Sequence, residues 1–212
     1  MAVDLGKMAD LLIAGKVEDV SNMTQEAIDE GLDPQEVLQN GLIAGMDVVG
    51  QRFKACEMFI PEVLRSAKAM SAGMDKLRPL LSESQAKAAG TMVIGTVKGD
   101  LHDIGKNLVA MMFEGAGFKV VNLGIDLETQ VFVDAVKEHK PDLLGMSALL
   151  TTTMPRMGEV VNALKEAGIR DQVKIMVGGA PVTGEFAEEI GADIYGANAA
   201  SSVDKGREAV GK

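Results

Sequence analysis

The chain has one cysteine, Cys56, no tryptophan, one tyrosine and six phenylalanines among its 212 residues. A single thiol excludes an internal disulfide framework and a thiolate cluster for zinc or iron–sulfur, and it fits a reducing compartment. So few aromatics leave no platform on which bases could stack. Positive charge is scarce as well: the formal net charge is −10, with acidic side chains outnumbering basic ones in both halves. Nucleic acid and anionic lipid are therefore not attracted electrostatically. Long apolar runs are missing too. Those at 58–60 and 143–146 fall far short of a membrane span, and the N-terminus lacks a charged segment followed by an apolar one. These absences predict a cytoplasmic protein with neither a membrane nor a nucleic acid as partner.

What is present is 47% apolar residues, enough to bury a sizeable core, and 14 methionines suited to filling irregular gaps. Residues 1–88 carry helical spacing throughout. Leu5, Met8, Leu11 and Leu12 form one apolar stripe, and Val17, Val20, Met23, Ala27 and Ile28 form a second beyond Gly15. A third begins where Asp33 caps and Pro34 takes the first helical position, continuing through Val37, Leu38, Leu42, Met46 and Val49. The fourth opens near Pro61 and runs through Val63, Leu64, Ala67, Met70, Met74 and Leu77. Four amphipathic helices with short links predict a small antiparallel bundle. Gly41 and Gly45, four apart, cost helix propensity and point to an element packed closely against them.

From residue 89 the period changes. Short apolar strands are predicted at 91–97, 119–124, 142–147 and 173–179, with a weaker one around 192–196, separated by helical stretches. Such alternation predicts an open parallel five-stranded sheet of Rossmann or flavodoxin type with helices on both faces. The expected organisation is thus α plus α/β: a helical cap domain, 1–88, and an α/β domain, 89–212, with Gly15 and 82–90 as candidate flexible points. Ligands of such sheets bind outside the carboxyl ends of the strands, where strand order reverses.

The turn directly after the first strand, 99–107, reads Gly-Asp-Leu-His-Asp-Ile-Gly-Lys-Asn and holds one of only two histidines. Asp100, two residues before His102, can accept a hydrogen bond from one imidazole nitrogen, fix the tautomer and free the other nitrogen for a metal. Two alternatives stand beside this. Asp100 or Asp103 could cap the next helix with His102 merely packed nearby, or Gly99 and Gly105 could open a phosphate cradle, although neither phosphate-loop pattern is present. One histidine cannot build a structural zinc site, and His139 lies in a polar helix end. If His102 binds a metal, most of the coordination must come with the metal.

The order of motifs resembles the cobalamin-binding domains whose signature is D-x-H-x-x-G, then S-x-L, then G-G. Here these are Asp100, His102 and Gly105, then Ser147 and Leu149, then Gly178 and Gly179, with 41 residues across the first gap and 28 across the second. The segments at 41–53 and 59–70 are similar to the helical cap preceding this domain in methionine synthase and in small corrinoid proteins of methyltransferase systems. The resemblance implies cobalamin held base-off and His-on, with cobalt ligated by His102 and the nucleotide tail in the sheet crevice. It implies a relay from His102 to Asp100 and on to the hydroxyl of Thr153, where methionine synthase has serine. It further implies that Asp103, Ile104 and Gly105 shape the motif loop, that Ser147, Leu149 and Thr151 line the tail slot, and that Gly178 and Gly179 let the tail approach the backbone. Phe59 would cover a cobalt-bound methyl, with Leu64, Ala67 and Met70 as further cap candidates.

The function so implied is that of a corrinoid carrier cycling between Co(I) and methyl-Co(III). A substrate-specific corrinoid methyltransferase would load it, a second methyltransferase acting on tetrahydrofolate or a thiol such as coenzyme M would unload it, and a reductive activase would repair it. It would complete no turnover alone. The rivals are the small subunit of an adenosylcobalamin-dependent mutase, against which the cap argues, and a cobalamin-dependent sensor, for which no signalling domain remains. Methylamines, methanol, glycine betaine and aromatic methyl ethers all remain open as methyl donors.

Overall fold

The computed structural model describes residues 3–81 and 89–211, and the part of the predicted flexible segment at 82–88 lies outside them. The fold separates into two compact units, the helical segment before residue 89 together with residues 114–118, and the remaining α/β segment.

In the helical unit, α1 (Leu5–Ile13) starts where Asp4 accepts the Lys7 N–H, and α2 spans Val17–Asp29. Then α3 (Pro34–Glu36), capped by Asp33 on the Gln35 N–H, passes into a π-helical stretch, Val37–Ile43, and on into α4 (Ala44–Lys54). The helix α5 (Ile60–Leu77) begins where the Glu62 carboxylate accepts the Phe59 N–H at 2.9 Å. Among the described residues four rods result, as the spacing predicts, but the third is not uniformly α. Its stretch Val37–Ile43 is π-helical, and its apolar steps of four, Leu38 to Leu42 to Met46, fit an α-helix equally well. Met8, Leu12, Val20, Leu42, Val63 and Met70 are among the side chains of its dry centre.

The two helical glycines behave as predicted: a Cβ on Gly45 would stand 3.1 Å from the Ala9 carbonyl oxygen, and one on Gly41 would stand 2.7 Å from Met8 Sδ. Accordingly, Gly45→Leu is expected to lower apo-protein stability by about 1–3 kcal/mol in urea unfolding, because backbone of α1 has to retreat. Gly15 is a packed helix stop. It adopts φ 67°, its N–H and that of Lys16 close onto Leu12 and Leu11, and a Cβ would meet the Arg65 Cβ at 2.7 Å.

In the α/β unit, β1 (Thr91–Val97), β2 (Lys119–Leu127), β3 (Leu143–Ser147), β4 (Lys174–Gly178) and β5 (Ile194–Gly196) form one sheet in the order β2-β1-β3-β4-β5. All pairings are parallel. Between the strands run α6 (Ile104–Gly115), α7 (Thr129–His139), α8 (Pro155–Glu166) and α9 (Gly184–Ile190), and α10 (Ala199–Ala209) closes the chain. Val93, Leu144, Ile175 and Val177 bury one sheet face against Phe132 of α7 and Met157 and Val161 of α8. On the other face, Gly206 of α10 brings the chain against Phe113 of α6 and Leu143. Strand β1 is buried along its whole length, which explains why it carries no charged residue. Among the described residues no helix is long and apolar enough to cross a membrane.

Candidate functional site

Strand order reverses between β1 and β3, so the loops leaving their carboxyl ends diverge and leave a crevice. After β1 the chain turns through Gly99, at φ 82°, and the Asp100 N–H closes back onto the Val97 carbonyl at 3.2 Å. This turn sinks the Asp100 carboxylate completely while leaving His102 exposed. Oδ1 of Asp100 accepts the His102 N–H at 3.0 Å and lies 2.7 Å from the His102 Nδ1. Its Oδ2 accepts from the Leu149 N–H at 2.7 Å, the Leu150 N–H at 3.2 Å and the Thr153 hydroxyl at 2.9 Å. The predicted Asp100–His102–Thr153 constellation is therefore one hydrogen-bonded group joining the loops after β1 and β3.

Burial pushes the Asp100 carboxyl up, but the N–H groups of His102 and Leu149, the imidazole and the Thr153 hydroxyl outweigh it and hold the group well below the usual carboxylate range. An ionised carboxylate only accepts, so the imidazole hydrogen resides on Nδ1, and the neutral ring carries its free lone pair on Nε2. That is the tautomer a metal ligand needs. Among the described residues no group of three or more His, Cys, Asp or Glu side chains is placed to hold a metal ion. His102 is suited to be one ligand of a metal that brings the others with it.

The surroundings offer apolar surface beside the imidazole. Leu101 is 67% exposed, Ile104 75%, and Leu149 and Leu150 41% each, all on the two loops joined by Asp100. Apolar side chains left in water this way around a polar anchor mark a ligand surface. A Cβ on Gly105 would meet no protein atom within 4 Å, so space is kept there. Gly179 differs: at φ 137°, its Cβ would collide with the Ala148 carbonyl oxygen. A Cβ on Gly178 would stand 3.0 Å from the Gly196 oxygen, so both glycines are required by protein packing. Ser147 pairs between Thr96 and Gly178, half-buried at the end of β3, and Thr151 is exposed on the same loop as Leu149. Asp103 accepts the Asn107 side-chain amide at 3.0 Å and its carbonyl accepts the Asn107 N–H at 2.7 Å, at the start of α6. Of the cap candidates, Phe59 is 67% exposed, Leu64 half-buried, and Ala67 and Met70 lie inside the packing of the helical unit.

Three residues escape sequence reasoning. The buried Thr96 donates its hydroxyl to the His102 carbonyl at 3.0 Å. Asp126 accepts the Gly99 N–H at 2.8 Å. Lys106, almost fully buried, donates to Asn107 and Asn122 side-chain oxygens at 2.6 and 2.7 Å; burial pulls its ammonium down while the Asp103 charge opposes this. Apart from Asn107, beside Lys106 on α6, each partner sits on a different strand or loop, so no local pattern signals them.

Thr153 provides a mild test of the constellation. Thr153→Val removes the hydroxyl and is expected to cost about 1 kcal/mol in urea unfolding, whereas Thr153→Ser retains the bond and most of the stability.

A doubly wound sheet whose switch-point crevice presents one oriented imidazole defines a ligand-binding α/β protein with its site at the carboxyl ends of its strands. Known proteins agree. The B12 binding domain family matches residues 90–204, and a second B12 binding domain family matches residues 5–78. The chain is 46% identical over 205 residues to trimethylamine corrinoid protein 1 of Methanosarcina acetivorans, covering 96% of this chain and 95% of that one. Its fold is similar to a cobalamin-binding protein of Desulfitobacterium hafniense (TM-score 0.80, 35% identity, 98% and 99% covered). It is also similar to a chain of the methanol:cobalamin methyltransferase complex MtaBC of Methanosarcina barkeri (TM-score 0.87, 32% identity, 96% and 78% covered). The chain belongs to the B12-binding corrinoid protein family.

Proposed function

We propose that this chain is a cytoplasmic methyl carrier: it binds cobalamin base-off and His-on, with His102 Nε2 as the lower axial ligand and the nucleotide tail in the crevice beside β3 and β4. The observation that carries this reading is the buried Asp100 carboxylate, which fixes the Nδ1–H tautomer of an otherwise exposed histidine. When bound, cobalamin supplies a cobalt centre that accepts and gives up a methyl group. The protein's part is to bind, orient and shield. Asp100 and Thr153 hold His102, Leu101, Ile104 and Leu149 offer apolar surface, and the motif glycines leave room. Residues 1–88 act as a cap domain and 89–212 as the cofactor domain, with the exposed Phe59 ring available to cover a methyl group.

The partners are a substrate-specific corrinoid methyltransferase, a second methyltransferase that passes the methyl to tetrahydrofolate or a thiol such as coenzyme M, and a reductive activase. Similarity to a trimethylamine corrinoid protein favours trimethylamine as donor. Reduced, cobalamin-loaded protein mixed with a trimethylamine methyltransferase and trimethylamine should convert to the methylcobalamin spectrum, one methyl per cobalt. Failure to take up methyl from trimethylamine, dimethylamine or methanol, each with its own methyltransferase, would contradict the carrier reading.

A further inference from the structure

Between Val97 and Ile104 the chain has no regular structure of its own, so the direction in which His102 points is set by whatever fastens this turn. From the β3 side, the side chain of Asp100 is fastened by the loop after that strand. From below, Thr96 holds the His102 carbonyl. The remaining contacts come from the far side, where β2 ends. Asp126 Oδ1 accepts the Gly99 N–H at 2.8 Å, while the Asp126 N–H donates to the Asp100 carbonyl at 3.1 Å. These two reciprocal bonds straddle the peptide that delivers Asp100. Asp126 makes them at φ 55°, a left-handed conformation that costs a non-glycine residue energy and that Asp and Asn tolerate best. The register of β1 against β2 breaks between Gly95 and Val97, and Leu127, next to Asp126, then pairs with Val97. The strand end is thus displaced from regular pairing where Asp126 reaches the turn. Lys98, the residue before Gly99, lies 3.4 Å from the Asp126 carboxylate and 3.1 Å from Glu128.

We infer that Asp126 is a positioning residue for the axial histidine: as a hydrogen-bond acceptor for the Gly99 N–H, it holds the turn from the β2 side so that His102 Nε2 meets cobalt. The inference rests on the His-on reading above. It assigns the work to the acceptor oxygen rather than to the charge, because the ion pair with Lys98 is exposed and worth little, and rather than to the backbone conformation, which glycine would adopt more easily.

The test uses the full chain labelled with 15N-histidine, reconstituted with cobalamin and reduced to Co(II). Its electron paramagnetic resonance spectrum shows 15N splitting only when a protein histidine ligates the metal. Unlabelled imidazole is then titrated until that splitting is lost. Asp126→Gly, which relieves the positive φ but removes the acceptor, is expected to lose His102 at roughly fivefold lower imidazole concentration, the effect of one absent hydrogen bond. Asp126→Asn, which keeps an acceptor and tolerates the conformation, should stay near the wild type. Apo melting temperatures of the three proteins confirm that each is folded. Equal midpoints for wild type and Asp126→Gly would overturn the assignment while leaving His-on binding intact. Equal weakening in Asp126→Asn would also overturn it, by pointing to charge. Absence of 15N splitting in the wild type would overturn the His-on reading, and the inference with it.

Discussion

Replacing Asp100 by alanine is expected to destabilise the apo-protein by about 2–4 kcal/mol, whereas replacing His102 by alanine should cost under about 1 kcal/mol. The asymmetry follows from burial. Asp100 is completely buried and its two oxygens serve His102, Leu149, Leu150 and Thr153. Deleting it strands those donors where two loops meet. The imidazole of His102 stands half in water and contributes one of these contacts. Yet both variants should lose histidine ligation of the bound corrinoid, since Asp100→Ala removes the partner that selects the Nδ1–H tautomer. Urea unfolding of the apo-proteins, set beside the spectra of the loaded ones, separates the two effects. A His102→Ala variant as unstable as Asp100→Ala would mean that the pair is structural packing.

The second large effect is expected at Gly179. Gly179→Ala combines a backbone conformation at φ 137° with a Cβ driven into the Ala148 carbonyl oxygen. The loop after β4 would have to leave the loop after β3, breaking the Ala148 N–H bond to the Gly178 carbonyl at 3.2 Å. A loss of more than about 3 kcal/mol is expected, seen as a large fall in apo melting temperature. Gly105→Ala is the counterpart. Its Cβ would meet no protein atom, so apo stability should hold while cobalamin affinity falls, because the methyl group enters space kept for the ligand. If Gly105→Ala leaves corrinoid binding untouched, that space is not the cofactor's.

Much of this architecture is legible in the sequence, for reasons visible in particular residues. The predicted strand 91–97 coincides with β1, because a strand covered on both faces shows as an uncharged, largely apolar run ending at Lys98 and Gly99. Asp33 and Pro34 mark a helix start by local chemistry alone and are found there. Asp100, His102 and the paired glycines could be singled out because they carry the cobalamin-binding motifs in order at the ends of predicted strands, and Thr153 because the resemblance to methionine synthase implies a hydroxyl there. Other features depend on tertiary pairing. Strand β2 runs to Leu127, beyond the predicted 124, since its pairing with β1 resumes after irregularities no periodicity encodes. Lys106 looks like a solvated charge in a helical first turn until Asn122, on β2, accepts from it. Asp126 and Thr96 act on backbone groups of a distant or adjacent turn, and an acidic or hydroxyl side chain at a strand end carries no mark of that role. The π-helical stretch Val37–Ile43 is hidden because its apolar steps also satisfy an α-helix.

The most direct test of the central claim is the spectrum of the protein reconstituted with hydroxocobalamin, reduced to Co(II), with 15N-labelled histidine, beside His102→Ala. Stoichiometric corrinoid binding is expected, with a 15N-labelled nitrogen on cobalt in the wild type and that labelled ligand lost in the variant. A wild type that binds no corrinoid, or binds it with the same axial ligand as His102→Ala, would contradict that claim.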